Sequence, residues 1–261
     1  MVKTRMTGGG QQGANWQLQM LPELEEMASR DSRIQELRPY GSAAGDQPCT
    51  DRWSDLDLSI TTAEPLAVAE DFARGISARY SPIFATSRSG SSVRYTLRLV
   101  LSDLRRLDIT AADPVDRKAP PGPIHAVGDD PPCAMAELVN DFRFDAVLAA
   151  VKAARGDVLI GAHLTLQLAR HVLVAAMLLR DRDTGTDHHR FGGSRWDAWA
   201  TRLTSAPAPY NRYGITAAIR YYTDALEEVL TDWDAELRSD NQPLVTLLDA
   251  VDEQPAARQT A

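Results

Sequence analysis

Two short motifs in the first quarter of the chain carry residue types that could bind a metal and a phosphate. Gly41 and Ser42 form a predicted turn, and twelve residues separate them from Asp55 and Asp57. In a strand, alternate side chains share a face about 6.5–7 Å apart, so both carboxylates would point the same way. Mg²⁺ is often bound by one or two carboxylates plus substrate phosphates, and glycine lets a ligand approach the backbone. The pattern predicts a metal–phosphate site at the rim of a small sheet; solvated acids on an edge strand are the alternative.

A third carboxylate is predicted on a neighbouring strand. Residues 93–100 alternate apolar with polar, Ser102 and Asp103 supply turn chemistry, and residues 106–110 return. This pattern is typical of a hairpin. Asp108 lies between apolar residues on the returning strand. Three acids from two strands predict a metal site more specifically than two acids from one strand, although an exposed strand acid is the alternative.

The elements that would position these acids follow from hydrophobic periodicity and turn residues. Helices and strands alternate first, with helices predicted over 16–29 and 63–80 and strands over 34–40, 55–61 and 83–86. A segment rich in Pro, Gly and Asp follows at 113–132 and is read as a linker or long loop. Only helices are predicted after it, over 135–154, 158–181, 195–204, 216–237 and 244–251.

The predicted fold class is therefore α+β, a small mixed-sheet domain followed by an α-helical bundle domain. We expect the first domain to span residues 15–132 and the second residues 133–253. Residues 1–14 are expected to form a disordered N-terminus, and residues 254–261 a frayed tail.

Composition limits the classes of partner. The 261-residue chain has a formal net charge of −8, which argues against a duplex nucleic-acid partner and suits a small cationic substrate. It has no run of 18 apolar residues, so no transmembrane helix is expected. Cys49 and Cys133 are far apart in unlike contexts, which favours a reducing, cytoplasmic location over a disulfide framework.

The Gly-Ser turn, the Asp-Leu-Asp-Leu stretch of residues 55–58 and the acid at position 108 resemble the signature of the DNA polymerase β-like nucleotidyltransferase superfamily. Residues 141–145, 151–157 and 162–164 resemble the carboxy-terminal helices of antibiotic O-nucleotidyltransferases, in particular the streptomycin- and lincosamide-adenylylating groups. Members of those groups often have Phe-Trp where this chain has Phe142 and Arg143. The resemblance covers roughly residues 34–240 and implies that the first domain is a nucleotidyltransferase domain.

The resemblance implies transfer of a nucleoside monophosphate, AMP from ATP or its counterpart from another nucleoside triphosphate, to a hydroxyl of a small molecule. An aminoglycoside or lincosamide is the expected acceptor, and pyrophosphate would leave. The acids that would hold Mg²⁺ and take part in catalysis are Asp55, Asp57 and Asp108. The expected nucleotide contacts are Gly41, Ser42, Arg38 and Lys152. A surface lysine packed along its stem is the alternative for Lys152.

Substrate contacts are predicted in the helical half. Glu137 and Asp141, one turn apart, could bind a cationic substrate or act as base, although acids near a helix start are also favoured by the helix dipole. His163 belongs to a polar stripe that could line a cavity or form a solvated helix face. The protein would be a monomer or a homodimer. Two functional alternatives remain: a transferase of the same fold that modifies a protein or RNA end, as in a toxin–antitoxin pair, and a catalytically silent nucleotide-binding module.

Overall fold

The computed structural model describes residues 15–44, 50–115, 131–185, 194–234 and 240–254, with backbone alone for residues 131–133. The chain divides into two compact units, residues 1–125 and 126–261. The predicted disordered N-terminus, most of the predicted linker and nearly all of the predicted tail lie outside the described residues, as does Cys49.

The first unit is a five-stranded sheet with two helices. Its strands are β1 Glu36–Tyr40, β2 Leu56–Thr61, β3 Ile83–Gly90, β4 Arg94–Leu101 and β5 Arg106–Ala112, and its helices are α1 Trp16–Ser29 and α2 Pro65–Arg79. A short 3₁₀ turn, Gly41–Ala43, follows β1. The strand predicted over 83–86 is longer in the structure, because its ladder with β4 continues to the pair Gly90 and Tyr95.

The strand order is β1-β2-β5-β4-β3. Strands β2 and β5 are parallel, and the other neighbours are antiparallel. The parallel pair lies at the centre of the sheet, where two strands that are distant in sequence lie side by side. The mixed sheet and the helical second unit together give the predicted α+β fold class.

The two faces of the sheet differ in polarity. Leu56, Leu58 and Ile60 are fully buried on β2 and join the core formed with α1 and α2. The intervening Asp57 and Ser59 are only partly buried and lie on the opposite face. Each buried leucine or isoleucine stabilises the fold by about 1.5–3 kcal/mol. A one-residue slip of β2 would place Asp57 in the core, so packing fixes the register that presents the acids.

The second unit is helical. Its helices are α3 Pro131–Ala154, α4 Val158–Thr184, α5 Arg195–Ala200, α6 Arg212–Trp233 and α7 Gln242–Asp252. The helix predicted over 195–204 is divided, because α5 passes into a 3₁₀ helix at Thr201–Ser205. Helix α6 begins before the predicted residue 216, since the Asn211 side chain accepts a hydrogen bond from the Gly214 amide at 2.8 Å and caps it.

Helix α4 is long and apolar enough to cross a membrane by length and composition alone. Core helices of water-soluble proteins also meet that criterion, so it is weak evidence for a membrane span. In this unit α4 packs against α3 and α6. The cytoplasmic location stays a prediction.

Candidate metal centre on the sheet

Three carboxylates converge where the central parallel strands begin. Asp57 lies on β2 directly opposite Asp108 on β5, and Asp55 lies one residue before β2. One carboxylate oxygen from each residue lies within 4.8 Å of those of the other two. No other group of three or more His, Cys, Asp or Glu side chains in the described residues comes together in this way. The structure therefore brings together the three acids that the sequence pattern singled out, while their role in metal binding stays a prediction.

The pKa values of two of these acids are raised. Burial raises the pKa of Asp57 to about 6, and the negative charge of Asp55 adds to the effect. Burial also raises the pKa of Asp108 to about 6, where Arg98 opposes the shift and Asp55 and Asp57 reinforce it. Three carboxylates in this space repel one another, and a cation between them would relieve that repulsion.

Arg98 on β4 is a basic neighbour of the cluster that the sequence analysis missed. It lies opposite Asp108 in the β4–β5 ladder, and its Nε is 3.1 Å from the Asp108 carboxylate. The hairpin pattern contained the signal: counting back across the Ser102–Asp103 turn places a polar β4 residue beside Asp108. Arg98 partly balances the carboxylates, because it lowers the pKa of both Asp57 and Asp108 against the effect of burial.

The predicted Gly-Ser turn lies against the acids. Gly41 has a φ of +65°, and a Cβ atom added there would lie 2.3 Å from the Asp57 carboxylate oxygen Oδ2. Only glycine fits this position, because a side chain would meet both backbone strain and the carboxylate. Ser42 follows in the same 3₁₀ turn. The roles of Gly41 and Ser42 in binding a nucleotide stay predictions.

Strand β1 adds two further polar side chains near this end of the sheet. Tyr40, which the sequence analysis did not single out, pairs with Asp57 across the β1–β2 ladder, and its Oη lies 3.5 Å from the Thr110 hydroxyl. Burial raises the Tyr40 pKa, and the charges of Asp57 and Asp108 add to this. Arg38, a predicted nucleotide contact, is largely exposed and forms an ion pair with Glu36 at 2.6 Å.

The remaining predicted site residues belong to the helical unit. Lys152, near the end of α3, has its Nζ 3.7 Å from the Asp157 carboxylate. Glu137 and Asp141 lie on α3, and His163 is exposed on α4. Partial burial raises the pKa of Asp141, with His171 opposing the shift and Asp145 and Glu137 adding to it. Their contacts with nucleotide or substrate stay predictions.

Two other polar residues of the helical unit have partners within it. His171 lies 3.1 Å from the Asp145 carboxylate and so joins α4 to α3. Arg143, the residue that departs from the Phe-Trp pattern, donates two hydrogen bonds to the Asn241 side chain at 3.1 and 2.9 Å. Arg143 therefore joins α3 to the start of α7.

No family model matches the chain, and the comparison with curated proteins gives no match. Solved structures that match include an aminoglycoside 6-adenyltransferase from Bacillus subtilis. That match has 10% sequence identity and a TM-score of 0.32, and it covers 92% of this chain and 100% of the other. A TM-score below 0.5 does not establish a common fold, so the function proposed below depends on the site itself.

Proposed function

We propose that this protein is a Mg²⁺-dependent nucleotidyltransferase that transfers a nucleoside monophosphate, AMP from ATP, to a hydroxyl of a small molecule. The observation that carries the proposal is the convergence of Asp55, Asp57 and Asp108, with carboxylate oxygens within 4.8 Å of one another, beside the backbone of Gly41. An aminoglycoside or lincosamide is the proposed acceptor.

The cluster fits a hard divalent cation. All three of its ligand groups are carboxylates, and oxygen ligands favour Mg²⁺ over the softer metals that nitrogen and sulfur ligands prefer. Burial, reinforced by repulsion from the neighbouring acids, raises the pKa of Asp57 and Asp108, and a bound cation would stabilise their ionised forms. When bound, Mg²⁺ would supply positive charge to the triphosphate and to the departing pyrophosphate.

The protein's own residues would position the nucleotide. Asp55 and Asp57 would hold the metal, and the bare backbone of Gly41 with the Ser42 hydroxyl would accommodate the outer phosphates. Lys152 and Arg38 would add positive charge, and a lysine can bind phosphate as a point charge without strict geometry. Positioning and electrostatics would then supply most of the rate enhancement.

The proposed reaction is a substitution at phosphorus. The acceptor hydroxyl oxygen forms a bond to the α-phosphorus, and the bond from that phosphorus to the bridging oxygen breaks. Pyrophosphate leaves with the electron pair. Asp108 in this proposal either acts as the base and takes the hydroxyl proton or completes the metal site, in which case the proton passes to solvent water. A carboxylate pKa of about 6 suits a base that works near neutral pH.

A mass-spectrometric screen tests the proposal. Purified protein and Mg²⁺ are incubated with each of the four nucleoside triphosphates and a panel of aminoglycosides and lincosamides. We expect a product heavier by one nucleoside monophosphate, with pyrophosphate released. The product should disappear in Asp57→Asn protein and persist in Glu70→Gln protein, whose altered acid bonds Arg88 and Tyr95 instead.

Two outcomes of the screen bear on the alternatives. A blank panel together with Mg²⁺-dependent nucleotide binding would replace the proposed acceptor with a protein, an RNA end or another metabolite. Protein that binds no nucleotide with or without Mg²⁺ would contradict the proposed function itself.

A further inference from the structure

The loop that leads into the acid cluster is anchored by a buried glutamine from α1. Gln17 is fully buried. Its Nε2 donates to the carbonyl oxygens of Asp51 at 3.0 Å and Ser54 at 2.9 Å. Ser54 directly precedes Asp55, so one side chain of α1 holds the backbone at both ends of residues 51–54.

The same loop is closed by its own hydrogen bonds. The Asp51 carboxylate accepts from the Trp53 amide at 2.8 Å and from the Ser54 hydroxyl at 2.9 Å. The Ser54 hydroxyl in turn accepts from the Asp51 amide at 3.1 Å. Arg106, at the start of β5, donates to the Trp53 carbonyl. Residues 51–54 therefore form a turn that is hydrogen-bonded to α1 on one side and to β5 on the other.

Asp55 depends on this turn for its position. Asp57 and Asp108 are fixed by the parallel ladder, which begins at the pair Leu56 and Leu107. Asp55 lies before the first ladder pair, so the loop that precedes it must set its backbone. Metal sites require such support, because residues around the ligands orient them.

Burial of the Gln17 amide group costs free energy of folding, so apolar packing alone does not explain why this position is a glutamine. Among the described residues, its Oε1 is buried with no hydrogen-bond partner, and an unpaired buried polar atom is unfavourable. An apolar side chain of similar length would fill the space without that cost. Glutamine donates two hydrogen bonds to the loop, and an apolar residue could not donate them.

We infer that Gln17 is a positioning residue for the metal centre, acting through the carbonyls of Asp51 and Ser54 to hold Asp55 in place. Its hydrogen bonds go to backbone carbonyls of the loop, so Gln17 acts through Asp55 and is not a catalytic residue. The inference rests on the proposed function, because it assumes that Asp55 binds a divalent cation.

The test compares Gln17→Met with a matched control, Tyr95→Phe. Methionine keeps the length of glutamine and removes its donors. Tyr95 is likewise buried in the same unit, where its hydroxyl donates to Glu70 at 2.5 Å. Its removal should lower stability without touching the loop. Mn²⁺ is the probe, its affinity measured by calorimetry and by electron paramagnetic resonance, and stability is measured by urea unfolding.

We expect Gln17→Met to weaken Mn²⁺ binding by roughly 10-fold or more, while Tyr95→Phe binds within about two-fold of wild type. Equal Mn²⁺ affinity in Gln17→Met and wild type would overturn the role of Gln17, as would equal weakening in both variants. Wild-type protein that binds no Mn²⁺ would overturn the proposed function and this role with it.

A second variant tests the same loop if Gln17→Met does not fold. Ser54→Ala removes the hydroxyl that closes the loop against Asp51 and leaves α1 unchanged. We expect a selective loss of Mn²⁺ affinity, about three-fold or more, in a protein with the wild-type circular dichroism spectrum. Unchanged affinity would overturn the inference.

Discussion

Two sets of partly buried carboxylates in the sheet unit have pKa values shifted in opposite directions. Glu70 on α2 accepts hydrogen bonds from Arg88 at 2.8 Å and from Tyr95 at 2.5 Å. Burial alone would raise the Glu70 pKa, but these partners outweigh it and the pKa is lowered. Across the sheet, burial and the neighbouring acids together raise the pKa of Asp57 and of Asp108 to about 6, against the opposing effect of Arg98.

The difference separates a structural acid from a candidate ligand-binding acid. The charge of Glu70 is balanced within the fold, where it joins α2 to β3 and β4. The charges of Asp57 and Asp108 are balanced in part by Arg98, and Arg106 contributes to the balance at Asp108. Groups with strongly shifted pKa values beside a cleft or turn are candidates for function, and a cation would bring to these acids the balance that Arg88 and Tyr95 bring to Glu70.

The largest expected difference between the acid cluster and Glu70 is in catalytic activity after substitution. We expect Asp57→Asn to lower kcat/KM by roughly 10³-fold or more, since it removes a metal ligand. Glu70→Gln should stay within about three-fold of wild type when assayed well below its melting temperature. Steady-state rates of pyrophosphate release at saturating Mg²⁺ provide the measurement. Equal losses in the two variants would mean that the cluster is no more functional than Glu70.

Metal affinity should fall at low pH, because Asp57 and Asp108 have raised pKa values. Asp57 and Asp108 titrate near pH 6, and both must be ionised to bind a cation. Mn²⁺ affinity should therefore be about 10- to 100-fold lower at pH 5 than at pH 8 and level off above pH 7. Calorimetric titrations across this range would show it. A flat profile between pH 5 and 8 would place metal binding elsewhere.

Gly41→Ala tests whether the turn and the acids share one site. A methyl group at position 41 would lie 2.3 Å from Asp57 Oδ2, whereas Gly156, with a φ of +78°, has no atom within 4 Å of such a group. Both alanine variants should lose about 1 kcal/mol from backbone strain. Gly41→Ala alone should also weaken Mn²⁺ binding, by roughly 10-fold, since it displaces the Asp57 carboxylate. Equal Mn²⁺ affinity in the two variants would separate the turn from the metal site.

The smallest expected effect is on the free energy of unfolding, and it has opposite signs for substitutions of Asp108 and of Glu70. The folded-state pKa of Asp108 is raised from 3.8 to about 6. Its contribution to stability is therefore complete below about pH 4 and is lost as pH rises through about 6. Asp108→Asn should stabilise the metal-free protein by roughly 1 kcal/mol at pH 7.5, and the gain should be clearly smaller at pH 4.5.

The matching change in the structural acid should have the opposite sign. The pKa of Glu70 is lowered, so its contribution is present above the unfolded-state value and is lost as pH falls through the lower folded-state value. Glu70→Gln should destabilise the protein by about 1 kcal/mol at pH 7.5. Urea unfolding at both pH values measures both variants. A destabilised Asp108→Asn protein at pH 7.5 would contradict the raised pKa.

The acid cluster could be predicted from the sequence, because the alternation of apolar and polar residues along each strand determines which face the acids occupy. Alternation along β2 and β5 placed Asp57 and Asp108 on the polar face of each strand, and the structure pairs them across the parallel ladder. Helix α1 follows the predicted bounds 16–29 for the same reason, since its apolar stripe is local. The proposed roles of these residues remain predictions.

What the sequence left out depends on packing between distant segments. Tyr40 lies beside Asp57 through the register of β1 with β2, which periodicity alone does not provide. Arg98 is the exception, because counting back from Asp108 across the hairpin turn would have found it. Gln17 is a polar residue that the apolar periodicity of α1 does not single out, yet it is fully buried. Its partners lie 34 and 37 residues further along the chain, beyond the range of any local pattern.

The most direct measurement of the central claim is calorimetric binding of a non-hydrolysable ATP analogue with and without Mg²⁺, to wild-type and Asp57→Asn protein. The account predicts one nucleotide per chain bound by wild type, Mg²⁺-dependent binding, and loss of that dependence in the variant. Binding that is equal in the two proteins, or unaffected by Mg²⁺, would contradict the assignment of Asp55, Asp57 and Asp108 as the metal centre.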